Sequence, residues 1–451
     1  MARRKSPSHL LQKFSFRVTM KKMFWENGMK MKFRIAALLF GLIVFLFPIL
    51  CACSSSLSDE GETKESKTEE KPKKEETVSE TKKEEESKYP LAPAAEEADV
   101  ASLNALYAGR TAYFGDLHCH PMAGVSKDGK KTLAQGKEKM KEQNMDFVAF
   151  MNHHQVAHMY ESDWDDTLFI GGTEPAATIS DSPAQKKSIH YNMLIPDPTD
   201  LLELLEEFPE YNYTGGKDGI AYNKGTFGYP SFTTARMQEL IQAVKDKGGL
   251  WVNVHPKQQM ESDNPEHYYF ADYTGLEVFY TFNEGITGQD TKDNYKLWRQ
   301  LLSRGKRLWA TAGADSHNDA TNSALTCIYS EAQKDDAYLS HLSAGDFVCG
   351  FAGIRMAIGD AKMGSSTDFK GKRVVFSVGE IHSLMYREGR DYTVKVFAGE
   401  KVVYTATYNG IDTATFAFDA DESAPFYRVE ILDERRGTQP IIAIGQPIWN
   451  D

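Results

Sequence analysis

Short apolar runs that stop at polar residues recur through the middle of the chain. Residues 145–151, 248–254 and 308–312 have the apolar density of buried strands. Residues 233–247 and 294–304 instead carry apolar side chains at three- and four-residue spacing, which predicts amphipathic helices. Because strands and helices alternate, the pattern favours an α/β architecture with parallel strands.

The pattern changes near residue 361. Residues 101–361 have the length of a single barrel, which is typically about 250 residues. Later segments, such as 392–397 and 414–418, alternate between polar and apolar positions and are separated by Gly, Asp and Asn turns. We therefore predict a small β-sandwich-like domain over residues 362–451. It could cover the barrel or bind glycans.

The N-terminal hundred residues have a composition of their own. A basic stretch precedes an apolar run at 35–50, which is too short and too early for an ordinary spanning helix. Leu50-Cys51-Ala52-Cys53 follows and resembles a bacterial lipoprotein signal, which implies a signal peptide over 1–53, a lipid on Cys53 and an extracytoplasmic protein anchored to the cell membrane. An uncleaved anchor and a later start codon are the alternatives.

Residues 54–100 consist mostly of Ser, Glu, Lys and Thr, which predicts a disordered, charged tether. The net charge of −12 argues against a nucleic-acid duplex as partner, because an acidic body repels phosphate backbones. Five cysteines in 451 residues do not form a disulfide framework. We predict that Cys119, Cys327 and Cys349 are buried apolar residues.

Two pairs of metal-competent residues have the same spacing. His118 and His120 form one pair, and Asp315 and His317 form the other. Residues i and i+2 of a strand point to the same face, so each pair would direct both side chains at one point. One such pair alone is equally typical of a surface strand. The prediction of a metal site therefore depends on further residues that lie beside apolar runs between the pairs, namely His153, Glu174, His190 and His255.

In this order the residues resemble the PHP (polymerase and histidinol phosphatase) superfamily of metal-dependent phosphoesterases. The family pattern is an Asp-x-His-x-His start, a strand ending in Asp-His, a Gly-x-Glu, a lone His, a His-Pro and a final Asp-x-His, and residues 116–317 follow it. The resemblance implies a distorted (β/α)7 barrel. It also implies metal ligands at His118, His120, Asp128, His153, Glu174, His190, His255, Asp315 and His317.

Details of the match set further expectations. Asp128 lies at a longer spacing from the first pair than the family usually has, and Asn152 stands where many members have Asp. We expect Asp116 and Asn152 to support the ligands rather than bind metal. Lys257, after the His-Pro, and His154 are predicted substrate contacts. An aromatic-rich insertion at 211–232 is either a lid over the strand ends or a surface loop.

Imidazoles mixed with a few carboxylates suit Zn, Fe or Mn. Nine ligands exceed the needs of one ion, so we expect two or three divalent ions, with Glu174 as the bridging carboxylate and metal-activated water as the nucleophile. A phosphoester is the leading small-molecule substrate. The metal residues, taken together with the C-terminal run Ile444-Gly445-Gln446-Pro447-Ile448-Trp449, resemble the carbaryl-hydrolase-like branch, which makes carboxylic or carbamic esters an alternative. A non-catalytic binding protein is the other alternative.

Overall fold

The computed structural model describes residues 88–125, 128–184, 188–219, 229–282, 285–318, 323–438 and 440–451. The predicted signal peptide, Cys53, most of the predicted tether and part of the aromatic-rich insertion lie outside these residues. None of the helices in the described ranges is long and apolar enough to cross a membrane.

The described residues form seven α-helices. They are α1 (Glu97–Leu106), α2 (Leu133–Glu142), α3 (Pro198–Glu207), α4 (Thr234–Asp246), α5 (Pro256–Gln259), α6 (Gln289–Leu302) and α7 (Asp335–Ala344).

The strands of the same residues are mostly short. They are β1 (Thr111–Cys119), β2 (Phe147–Phe150), β3 (Phe169–Thr173), β4 (Ala176–Ile179), β5 (Ile189–Leu194), β6 (Ser231–Phe232), β7 (Leu250–Val254), β8 (Thr274–Tyr280), β9 (Leu308–Gly313), β10 (Thr326–Ser330), β11 (Phe347–Gly350), β12 (Ala352–Ile358), β13 (Ala361–Lys362), β14 (Ser366–Thr367), β15 (Arg373–Ile381), β16 (Tyr392–Ala398), β17 (Lys401–Tyr408), β18 (Ala414–Asp419), β19 (Phe426–Leu432), β20 (Ile441–Gly445) and β21 (Ile448–Asn450).

Two helices show how the sequence sets these elements. Thr132 caps α2, because its side chain accepts a hydrogen bond from the backbone N–H of Gln135, whose own side chain reaches back. In α4 the buried residues recur every three or four positions, which places one face against the sheet. The helices therefore follow the predicted amphipathic pattern and cover the strands.

The central strands curl so that both ends of the series meet. β1, β2 and β3 are parallel, as are β7, β8 and β9. Cys119 at the end of β1 bridges to Ser316 just after β9, and the backbone N–H of Asp315 donates to the carbonyl of His118. This mixed α/β arrangement is consistent with a PHP-like barrel, while the sevenfold repeat stays a prediction.

One strand departs from the predicted parallel order. β5 runs antiparallel to both β3 and β7. The chain between β3 and β5 forms β4, which pairs with β5, instead of the crossover helix that a parallel connection usually needs. An apolar pattern predicts a strand but not its direction, so this reversal could not be predicted from the sequence.

The ends of the chain are joined to the barrel strands. β20 pairs with β11, which pairs with β10, and β15 pairs with β12. Strands after the predicted boundary at residue 361 therefore share sheets with strands before it. At the start of the described residues, Leu91 and Ala94 bridge to Thr405 and Phe416, so part of the segment assigned to the tether pairs with the C-terminal strands.

Candidate metal centre

β1 delivers the first pair of histidines to the interior. His118 and His120 are both buried, and their imidazole Nε2 atoms lie 3.3 Å apart. Cys119 lies between them on the other face of the strand and is buried, as are Cys327 and Cys349. The alternation of a strand thus explains both the converging imidazoles and the burial of the thiol.

Glu174 lies at the middle of the centre and is fully buried. One carboxylate oxygen, Oε2, lies 3.1 Å from His118 Nε2 and 3.0 Å from His120 Nε2. The other, Oε1, lies 2.9 Å from His190 Nδ1 and 3.1 Å from His255 Nε2. A carboxylate with imidazoles on both oxygens has the placement that a bridging ligand requires.

Asp315 faces Glu174 from the end of β9. Its Oδ1 lies 3.0 Å from His120 Nε2 and 3.5 Å from His118 Nε2. Its Oδ2 accepts a hydrogen bond of 3.0 Å from the hydroxyl of Tyr280. Asp315 and His255 both have positive φ angles, of 52° and 30°, which are uncommon for residues other than glycine. Such backbone conformations cluster at functional sites.

Asp128 joins the centre despite its unusual spacing in the sequence. Its Oδ2 lies 3.4 Å from His120 Nδ1 and 3.5 Å from His153 Nε2, and its Oδ1 lies 3.7 Å from His317 Nε2. The fold therefore brings together all nine predicted ligands, although the sequence left the position of Asp128 uncertain.

Eight of these residues form three overlapping groups whose possible ligand atoms lie within 4.8 Å of one another. His255 belongs to none of these groups, but its Nε2 lies 3.1 Å from Oε1 of Glu174. The groups are His120, Asp128, His153 and His317; His118, His120, Glu174 and Asp315; and His153, Glu174 and His190.

The carboxylates of the centre are held in their ionised form. Burial opposes ionisation of Glu174, but the imidazoles of His153 and His118 outweigh it and keep the pKa of this carboxyl well below its usual range. For Asp128, burial is likewise outweighed by His120 and His153, and the pKa falls to about 2. Ionised carboxylates are the form that binds a metal ion.

The buried polar atoms of the centre fit divalent ions. His120 Nδ1, Asp128 Oδ2, His255 Nδ1 and Asp315 Oδ1 make no well-aligned hydrogen bond, even where an imidazole and a carboxylate lie within 3.5 Å of each other, and leaving such atoms unsatisfied is costly. These nitrogen and oxygen atoms are the donors that Zn, Fe and Mn accept. The residues present therefore suit a cluster of divalent ions, whose number and identity stay a prediction.

Asp116 and Asn152 contact the ligand-bearing segments. Asp116 accepts hydrogen bonds from the backbone N–H groups of His118 and Ala314, and burial raises the pKa of its carboxyl. The amide of Asn152 donates to the carbonyl of Ala123. Both contacts are compatible with the predicted supporting roles, which stay predictions.

The two predicted substrate contacts have different surroundings. His154 is buried, and its Nε2 accepts a 3.3 Å hydrogen bond from the backbone N–H of Ala176. Burial, followed by the neighbouring His153, lowers the pKa of His154 well below its usual value. Lys257 donates to the hydroxyl of Tyr268 at 2.9 Å. The ammonium of Lys257 is therefore directed toward Tyr268.

Glu277 is a functional candidate that the sequence analysis missed. This buried carboxylate accepts from the backbone N–H of His255 at 2.8 Å, and its other oxygen lies 2.9 Å from His118 Nδ1. A Cβ at Gly313 would collide with Glu277 and with His118, so the glycine leaves room for this contact. A single charged residue inside the apolar strand β8 was the available signal.

Comparison with known proteins finds no matching family model and no curated relative. Among solved structures, a candidate metal-dependent phosphoesterase from Bifidobacterium adolescentis is 18% identical with a TM-score of 0.30, and the match covers 50% of this chain and 94% of that chain.

A two-domain protein from Bacteroides vulgatus, containing a predicted PHP-like metal-dependent phosphoesterase, is 11% identical with a TM-score of 0.36, over 80% of this chain and 98% of that one. An endonuclease Q bound to duplex DNA with an abasic lesion is 12% identical with a TM-score of 0.34, over 51% and 56% of the two chains. At these TM-scores the likenesses do not establish a shared fold or function.

Proposed function

We propose that this protein is a metal-dependent hydrolase that cleaves phosphoesters of small molecules with metal-activated water. The observation that carries the proposal is the convergence of eight potential ligands in three overlapping groups around the buried Glu174. Within the described residues, the ion-pair partners of Glu174, Asp128 and Asp315 are histidines.

The protein residues would hold and orient the reacting groups. Divalent ions, when bound, lower the pKa of a coordinated water and polarise a phosphoryl or carbonyl oxygen. Each oxygen of Glu174 lies against at least two imidazoles, so Glu174 would hold ions jointly with these histidines. Asp315 would be oriented by the hydroxyl of Tyr280. Glu277 would fix the ring of His118 through its Nδ1 atom.

Hydrolysis of carboxylic or carbamic esters at the same metals is the second candidate. It depends on the resemblance of the metal residues, together with residues 444–449, to the carbaryl-hydrolase-like branch. In this run, the amide of Gln446 makes paired hydrogen bonds of 2.8 and 2.7 Å with the backbone of Ala310 in β9. Gln446 therefore joins the C-terminal run to β9, a structural role that is compatible with either substrate class.

A substrate panel separates these candidates. The protein reconstituted with Zn, Fe or Mn is assayed on aryl phosphates and on the matching aryl acetates and carbamates. We expect metal-dependent release of the phenol from the phosphates. Turnover confined to acetates or carbamates would establish the second candidate, and a metal-loaded protein that hydrolyses neither class would point to a binding protein.

We also propose that Cys53 carries a lipid that anchors the protein outside the cytoplasmic membrane. The support is the basic stretch, the apolar run at 35–50 and the Leu-Cys-Ala-Cys sequence. In bacteria expressing the full chain, a radiolabelled fatty acid should label the wild-type protein but not Cys53→Ala. Equal labelling of both proteins would contradict lipidation at this residue.

A further inference from the structure

Among the described residues, the side chains of the metal centre differ in their exposure to solvent. The side chains of His118, His120, Glu174 and His255 are at most 3% exposed, whereas His153, His190 and His317 are 28%, 17% and 28% exposed. These three imidazoles therefore line the opening through which a substrate reaches the ligand groups. We call them the opening histidines.

An aromatic ring stands at each end of this opening. The ring of Tyr229 lies 6.4 Å from the ring of His190, and the ring of Phe282 lies 5.9 Å from that of His317. Between them, His153 lies 5.5 Å from His190 and 6.1 Å from His317. The five rings thus follow one another from Tyr229 to Phe282 across the opening.

Neighbouring rings hold both aromatic side chains in place. Tyr229 is parallel to His154 within 15°, and Phe282 is parallel to Tyr280 within 16°. Yet Tyr229 and Phe282 are 42% and 50% exposed, which places them among the few large hydrophobic residues at the surface of the described chain. A single exposed ring needs no explanation, but two at the mouth of one site are typical of a surface that binds a ligand.

We infer that Tyr229 and Phe282 form the specificity walls of the site and select esters whose organic group contains a planar aromatic ring. The inference rests on the proposed phosphoesterase function. When the phosphoryl group of a substrate lies at the buried ligands, its organic group extends past the opening histidines. There, a ring of the organic group can stack on Tyr229 or Phe282. Aromatic pairs with centroids about 4.5–7 Å apart are favourable beyond their buried area.

The test compares benzyl phosphate with ethyl phosphate, both esters of simple alcohols, on the metal-loaded protein. We expect kcat/KM to favour benzyl phosphate in the wild type. Tyr229→Ala and Phe282→Ala should each reduce this preference by about tenfold, mainly through KM, with little change for ethyl phosphate. Tyr229→Phe and Phe282→Tyr should retain the preference, because they keep a ring. Ile411→Ala, at an exposed apolar residue of the C-terminal region, is the matched control.

A second pair of substrates identifies the source of the ring. Adenosine 5′-monophosphate and ribose 5-phosphate differ by a nucleobase. A preference for the nucleotide that falls in the two alanine variants would assign the walls to a nucleobase, and a preference for benzyl phosphate alone would assign them to a phenyl ring. A wild-type enzyme with neither preference, or with preferences that the alanine variants retain, would overturn the inference while leaving the phosphoesterase intact.

Binding separates this inference from the proposed function. Benzylphosphonate and ethylphosphonate are not hydrolysed, and calorimetry measures their affinity for the metal-loaded protein. If no phosphoester is turned over, the proposed function fails. Tighter binding of benzylphosphonate that is lost in Tyr229→Ala or Phe282→Ala would still support the aromatic walls, and equal binding of the two phosphonates would overturn them.

Discussion

Two of the buried charge clusters in the described part of the chain are balanced in different ways. The first is the metal centre. The second, which we call the arginine cluster, consists of Arg428, Glu430, Glu400, Arg299 and Tyr295. It joins α6 to β19 and to the turn between β16 and β17. Arg428 is fully buried, its guanidinium contacts Glu430 at 3.0 Å, and it lies 3.8 Å above the ring of Phe397.

The clusters differ in where their positive charge comes from. In the arginine cluster, each of the two carboxylates contacts an arginine that is charged at any physiological pH. In the metal centre, the ion-pair partners of the carboxylates within the described residues are imidazoles, which bind metal ions in their neutral form. A cluster that carries its own permanent cations holds the fold together, whereas one built from imidazoles and carboxylates is suited to bound ions.

The largest expected effect comes from removing the first pair of ligands. The double variant His118→Ala, His120→Ala should no longer bind metal. Its phosphoesterase activity should fall by at least about a thousandfold, because the metal ions stabilise the transition state by several kcal/mol. Metal analysis and steady-state assays of the same preparation measure both. His267→Ala, at an imidazole hydrogen-bonded to Ser262, is the control. Retained turnover in the double variant would refute the mechanism.

The arginine cluster should respond in stability rather than in metal content. Arg428→Met leaves Glu430 buried without its cation, so we expect a loss of about 3–5 kcal/mol in the free energy of unfolding. The double variant Arg428→Met, Glu430→Leu should recover much of this loss. Denaturant titration measures both, and bound metal should be unchanged in each. A loss of metal from the single variant would show that the two clusters are not independent.

Glu277 tests whether a supporting contact tunes the metal centre. Glu277→Gln keeps the shape but has only one oxygen for the two N–H groups of His118 and His255, so one contact is lost. We expect metal affinity to fall by about 10- to 100-fold. Competition with a chromophoric chelator measures this affinity, with the exposed Glu388→Gln as control. Equal affinities in both variants would remove Glu277 from the centre.

The smallest effect is expected for an ion pair near the surface. Glu331 contacts Arg110 and His341, each at 2.8 Å. Partial burial opposes its ionisation, but His341 and Arg110 outweigh it and lower the pKa to about 2, from an unfolded value of 4.5. The side chain is half exposed, so solvent screening limits its contribution to less than about 1 kcal/mol.

Because the folded pKa of Glu331 is the lower one, its contribution is complete above pH 4.5 and disappears as the pH falls toward 2. Glu331→Gln should therefore be slightly less stable than the wild type at pH 7, and the difference should narrow below pH 4.5. Denaturant titrations at several pH values follow this difference. A difference that widens in acid would contradict the assignment.

The residues that converge at the metal centre were easier to predict from the sequence than the strand order of the sheet that carries them. Ligand residues such as His153 and His255 directly follow apolar strands, so a local pattern in the sequence is enough to predict their positions. The antiparallel direction of β5 depends on how the chain returns through β4, and the pairing of β11 with β20 joins segments that are far apart in sequence. Neither feature leaves a periodic signal. Glu277 also escaped because its contacts with His118 and His255 are set by strand packing.

The metal content of the purified protein shows directly whether the convergent histidines and carboxylates bind ions. The protein is purified without chelators or metal-affinity resin, and its metals are measured by inductively coupled plasma mass spectrometry before and after reconstitution with Zn, Fe or Mn. We predict two or three equivalents of these metals per chain, lost together in the His118→Ala, His120→Ala variant. A folded protein that holds no metal after reconstitution would contradict this prediction.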